Sequence, residues 1–139
     1  MSEAIQAQSA PTPQGHYSQA VRVGALVFIS GQLPLDRQGR LITGTVADEV
    51  RQALSNVRAV VEAAGGTMAN LVQCTIYISD VSHWTEADEA YGAFFSGVPV
   101  LPARAIVPVK EMHFGAHIEI QAVAIVNEPS FASKTRSCA

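Results

Sequence analysis

The sequence predicts an α+β domain in which one β-sheet carries two helices on a single face. Three observations lead there. Strand-like and helical stretches follow one another as ββ, α, β, α, ββ, and each helical stretch is apolar on one side only. The chain has 139 residues, which suits one domain. Its hydrophobic content of 48% is more than a lone domain of this size hides easily, so part of that surface is expected to lie between subunits.

Residues 1–14 are polar, contain Pro11 and Pro13, and read as an N-terminal arm rather than a core element. Residues 15–126 form the single domain. Ala20 to Val23 and Leu26 to Ile29 flank Gly24 as a hairpin, and Gly31 and Pro34 break the second strand within SGQLP. DRQGR, Asp36 to Arg40, is a second turn, with Gly39 suited to a positive φ. From Thr45 to Ala64, Val46, Val50, Ala53, Leu54, Val57, Val60, Val61 and Ala64 recur at helical spacing. Thr45 can cap that helix, Asp48 and Glu49 suit its positive end, and Gly65-Gly66 stop it.

Leu71 to Ser79 reads as a strand. Ser82 to Ser96 reads as a helix with Trp84, Ala87, Tyr91, Phe94 and Phe95 buried. Ala103 to Val109 and His117 to Val126 are the last two strands. On the final one, Ile118, Ile120, Ala122, Ala124 and Val126 line one face, while Val123 and Ile125 make half of the other face apolar too. That second face needs a cover, which subunit contacts would supply. Residues 127–139 are polar, with Pro129 and three serines, and read as a tail.

Composition argues against several function classes. The formal charge is −3, and nine basic residues are scattered without a cluster, so no nucleic-acid partner is expected. No apolar run approaches the ~20 residues that span a bilayer. The N-terminus lacks the pattern of a secretory signal, and Cys74 and Cys138 are too few for a disulfide framework. A cytoplasmic protein without membrane contact is the expectation.

One stretch stands apart chemically. In LPARAIVPV, Leu101 to Val109, eight apolar residues surround Arg104, whose guanidinium is costly to bury without a partner. Glu119 is similarly set between Ile118 and Ile120, on a strand read as the neighbour of the first, and shares a side with His117 and Gln121. Two readings follow. Arg104 and Glu119 form a buried ion pair, or Arg104 turns its fork to a pocket and binds an outside carboxylate, leaving Glu119 to handle a proton or a water. Periodicity alone leaves both open. His113-x-x-x-His117 has the spacing of helical zinc ligands, but Gly115 interrupts it and no third ligand is suggested, so no metal is expected.

PARAIVPVKEMHFGAHIEI, Pro102 to Ile120, resembles the signature segment of the RidA/YjgF proteins. GHYSQA (Gly15 to Ala20), SGQLP (Ser30 to Pro34) and NVRAVVEAAG (Asn56 to Gly65) match in order and spacing. The resemblance runs from about Gly15 to Val126. It implies a chorismate-mutase-like fold with one mixed sheet, and a homotrimer with active sites at the subunit interfaces. It also implies a deaminase that hydrolyses 2-imino acids and enamines, of the 2-iminobutanoate and 2-iminopropanoate type, to 2-keto acids and ammonia without a cofactor. By position, Arg104 matches the arginine that grips the substrate carboxylate and Glu119 the acid that orients the attacking water. Tyr17 matches the aromatic hydroxyl near the site, and Ser30-Gly31 the loop bordering it.

Three positions depart from the family's pattern: His16 replaces a common proline, Ile106 a common cysteine and Asp88 a common asparagine. A backbone contact at Ile106 to the substrate would survive its exchange, whereas Asp88 adds negative charge that would disfavour an anionic substrate lying close to it. Two other functions share the framework. A regulatory trimer would bind small carboxylic acids through the same arginine without turnover. An endoribonuclease, an activity attached to some family members, fits poorly with the acidic pI of about 5.7.

Overall fold

The computed structural model describes residues 1–127. The expected hairpin is present, but its second strand runs through Gly31 rather than breaking there: β2 (Ala20–Val23) turns at Gly24, φ +61°, into β3 (Leu26–Gln32), with an irregular register between Ile29 and Gln32. A further strand precedes it. β1 (Glu3–Ile5) pairs antiparallel with β2, and Ile5, Ala7 and Ala10 are buried. The expectation of an arm outside the core is therefore corrected. Buried Gln19 explains the docking: its side-chain amide accepts from Ala7 N at 2.6 Å and donates to the carbonyls of Ala7 and Pro11 at 3.1 and 2.9 Å. A glutamine can satisfy a neighbouring segment's backbone in this way, and hydrophobic periodicity does not register it.

Helix α1 (Val46–Ala63) starts at Thr45, whose hydroxyl accepts from Asp48 N while the Asp48 side chain accepts from Thr45 N. Gly65, φ +91°, ends it, and Arg22 of β2 donates to the orphan Ala64 carbonyl. Val50, Leu54, Val57, Val60 and Val61 are fully buried, as the spacing predicts. Each contributes roughly 1.5–3 kcal/mol, so the stripe outweighs the cap. Thr45→Ala is accordingly expected to cost about 1 kcal/mol, seen as a lower urea midpoint at unchanged slope.

β4 (Leu71–Ile78), α2 (Trp84–Phe94), β5 (Ala103–Pro108) and β6 (Ile118–Ile125) complete the chain's order. The strands lie in one mixed sheet, β1-β2-β3-β6-β4-β5, antiparallel except for the parallel β4–β5 pair, which α2 connects. Core residues of β3, β4 and β6 face the helices: Val27, Ile29, Cys74, Ile76, Ile78, Ile118, Ile120, Ala122 and Ala124. The opposite face is open. There Leu26 lies across from Ile125 and Phe28 across from Val123, with Leu26, Phe28 and Ile125 exposed. No helix among the described residues is long and apolar enough to cross a membrane.

α2 departs from the expected stripe at Trp84, and Phe94 is only partly buried. Ala87, Tyr91 and Phe95 are buried, but Trp84 is 41% exposed at the sheet edge. Its ring forms part of a platform beneath the Arg104 guanidinium. The tail, residues 127–139, lies almost wholly outside the described residues.

Candidate active site

Arg104 enters the structure on β5, the edge strand, directly across from Cys74 of β4. Cys74 is fully buried, so this register points Arg104 to the helix-bearing face of the sheet. α2 meets it there. Arg104 Nη1 donates to Asp88 Oδ1 at 2.8 Å, and the guanidinium lies 4.8 Å from the Tyr91 ring centroid and 5.7 Å from that of Trp84. Two aromatic faces and one carboxylate hold the fork at the domain's rim. Burial pushes the Cys74 thiol up to about 11, against the opposing pull of Tyr91 and Arg104, so it carries no thiolate at neutral pH. Burial likewise raises the Tyr91 phenol. Ile106, two residues along, is half-buried against the core.

Glu119 occupies the other face. On β6 it lies across from Tyr77, whose hydroxyl donates to Gln121 Oε1 at 2.8 Å. Its carboxyl sits directly over Gly31 of β3: a Cβ at Gly31 would come within 2.5 Å of Glu119 Oε1. Burial holds the Glu119 carboxyl above the ordinary glutamate value of 4.5, with His113 pulling it down. The fold therefore favours the protonated acid. That contribution to stability is complete below the ordinary value and is lost as pH rises through the raised one. Glu119→Gln, neutral throughout, is expected to raise the melting temperature above that of the parent at about pH 8, with the difference vanishing below about pH 4.

Tyr17 and Gly31 share a groove of about 260 Å³ with Gln19, Gln32, His113 and Phe114. Two internal amides build it. Gln19 pins the N-terminal segment beneath Tyr17, and buried Asn56 of α1 donates to the carbonyls of Leu33 and Leu35, each at 3.0 Å, fixing the chain just after Gly31. Ser30 Oγ donates to Ser18 O at 2.7 Å, tying β3 to the segment that carries Tyr17. These contacts give the SGQLP and NVRAVVEAAG stretches a common purpose: one is the loop and the other its anchor.

The structure thus brings Tyr17, Ser30, Gly31 and Glu119 to one region and sets Arg104 and Ile106 apart from it. The ion pair between Arg104 and Glu119 does not form. Their strands are not neighbours, since β4 lies between β5 and β6, and the two side chains occupy opposite faces. Asp88 takes the place of Glu119 as partner. His117, expected beside Glu119 and Gln121, instead turns to α1, where buried Glu49 accepts from its backbone N–H at 2.8 Å and meets Nδ1 at 2.7 Å. His83 packs edge-on against the same ring at 5.2 Å.

His113 and Phe114 are groove residues that sequence reasoning missed. Phe114 adopts φ +65°, a left-handed conformation rarely taken by a bulky side chain, and its ring packs tilted against that of His113, centroids 4.0 Å apart. HFG carries no pattern announcing that corner. The only signal was Gly115, which also takes a positive φ.

Relatives agree with this architecture. A family model described as Endoribonuclease L-PSP matches residues 7–126. A RutC family protein of Pyrococcus horikoshii is 37% identical over 125 residues, covering 89% of this chain and 98% of that one. A 2-iminobutanoate/2-iminopropanoate deaminase of Rattus norvegicus is 38% identical over 122 residues, 87% of this chain and 88% of its own. Among solved structures, the yjgF gene product from E. coli superposes with a TM-score of 0.84 at 34% identity, covering 88% of this chain and 98% of that one. With the matched signature segment and the mixed sheet carrying two helices on one face, the chain belongs to the RidA/YjgF family.

Proposed function

We propose that the protein is a deaminase hydrolysing reactive 2-imino acids and their enamine tautomers to 2-keto acids and ammonia. The separation of Arg104 from Glu119 carries this reading. An ion pair between the two would have consumed both charges, whereas here they lie on opposite faces of the sheet: Glu119 sits over Gly31, and Arg104, beside the half-exposed Asp88, keeps side-chain donors unpaired among the described residues. The two halves meet when copies of the chain assemble as a homotrimer on the open apolar face marked by Leu26, Phe28 and Ile125. Arg104 of one subunit then lies near Tyr17, Ser30, Gly31 and Glu119 of the next. Deaminases among the relatives, including the Rattus norvegicus protein, support the chemistry.

Protonated imines are already electrophilic, so the site supplies positioning and proton transfer rather than a nucleophile. Arg104 fixes the carboxylate and hence the adjacent C=N carbon, with the backbone at Ile106 beside it. Glu119, its basicity raised by burial, accepts a proton from the attacking water and returns one to the departing ammonia. Tyr17 offers a hydroxyl at the rim. No step calls for a metal or organic cofactor.

The test adds the protein to a threonine dehydratase reaction and follows 2-ketobutyrate release in a buffer where the imine persists. Acceleration is expected from the parent chain, with a loss of about 10²–10⁴-fold in Glu119→Gln at nearly unchanged affinity for 2-ketobutyrate. Absence of acceleration by the parent overturns the deaminase reading. Carboxylate binding that survives without turnover would instead support the regulatory one.

A further inference from the structure

We infer that Asp88 and Arg104 act together as a pair that recognises a zwitterion: Arg104 takes the substrate carboxylate, and Asp88 takes the protonated imine nitrogen next to it. This rests on the carboxylate-binding role proposed for Arg104 and names the charge state of the ligand that the site selects. The two charges lie 2.8 Å apart on different elements, β5 and α2, and both side chains are reachable, at 21% and 42% exposed. Among the described residues, Asp88 Oδ2 and the remaining donors of Arg104 have no hydrogen-bond partner. A buried polar group also waits beneath the fork. Tyr91 is 4% exposed and its hydroxyl is unsatisfied among the described residues, the Cys74 thiol facing it without the geometry of a proper hydrogen bond.

A plain surface ion pair explains less. Such pairs add little stability and need no aromatic platform, whereas this guanidinium is stacked against Tyr91 and Trp84. A simple anion site explains less still, because a carboxylate touching the arginine would cancel its charge and repel an incoming anion. A ligand carrying both charges on adjacent groups resolves the conflict. When it binds, the Arg104–Asp88 contact is exchanged for two others, arginine to carboxylate and aspartate to iminium, and no charge is left unpaired. A 2-imino acid in its protonated form has this arrangement, since its C=NH₂⁺ carbon is bonded to its carboxylate carbon. Asp88 would hold the imine in the protonated form that water attacks. The 2-keto acid product has lost the cation, so it meets a neutral pair and is released.

The experiment measures binding by titration calorimetry of L-2-aminobutyrate, a stable zwitterion, and 2-ketobutyrate, an anion of similar size. The parent, Asp88→Asn, Asp88→Ser and Arg104→Ala are compared, each checked for a parent-like melting temperature. The parent should bind the zwitterion about tenfold more tightly than the anion. Both Asp88 variants should weaken the zwitterion about tenfold and tighten the anion several-fold, while Arg104→Ala should weaken both. Shifts of the two ligands in the same direction, or no shift, in the Asp88 variants overturn the pair's role while Arg104 keeps its own. Affinities unchanged in Arg104→Ala, or no binding of either ligand to the parent, overturn the carboxylate site itself and this inference with it.

Discussion

Arg104→Ala is expected to lower kcat/KM for a 2-imino acid by about 10²–10⁴-fold. A guanidinium makes two hydrogen bonds to a carboxylate, each contributing about 1.5–3 kcal/mol when charged. The fold should survive. The guanidinium's stacking on Tyr91 and Trp84 contributes roughly 0.5–1 kcal/mol, and the half-exposed Asp88 can be solvated by water. Arg104→Lys should recover little, because a point charge cannot reach a carboxylate in the plane that the aromatic platform imposes. Steady-state rates alongside an unchanged circular dichroism spectrum would check both expectations. Near-parent activity in the alanine variant would remove Arg104 from the mechanism.

Gly31→Ala should be almost as damaging, for a steric reason. An added methyl would lie 2.5 Å from Glu119 Oε1 and 3.0 Å from its Cδ, so the carboxylate must swing away. The chain tolerates that movement, since it displaces the end of a flexible side chain rather than the backbone. The water-orienting role proposed for Glu119 would not tolerate it. Displacing a catalytic group by about 1 Å typically costs about 10²-fold, expected here in kcat with KM little changed. A fall in melting temperature of more than a few degrees would instead identify Gly31 as a packing residue.

The helices and central strands were legible because periodicity and burial coincide there. The Val50–Val61 stripe and the alternation Ile118, Ile120, Ala122, Ala124 meet one core from two sides. β1 was not, because three residues with a single buried side chain carry no period, and their attachment comes from the Gln19 amide. The site divides the same way. Arg104 and Glu119 stood out as charges in apolar strands, but strand order is not written in either strand. β6 inserts between β3 and β4, against the order in which the chain is read, and this puts β4 between the two charges. Asp88 was visible as a departure from the family's pattern, yet its contact with Arg104 depends on how α2 crosses from β4 to β5.

The central position of β6 also orders the events of synthesis. Until Ile118–Ile125 emerges from the ribosome, β3 and β4 each present an unpaired edge, and the β1-β2-β3 and β4-β5 halves have no strand to join them. The nascent chain must keep two open sheet edges apart for nearly its whole length. The strand that carries Glu119 is the one that seals them, so a chain cut short before β6 lacks that carboxyl and keeps two surfaces primed for aggregation.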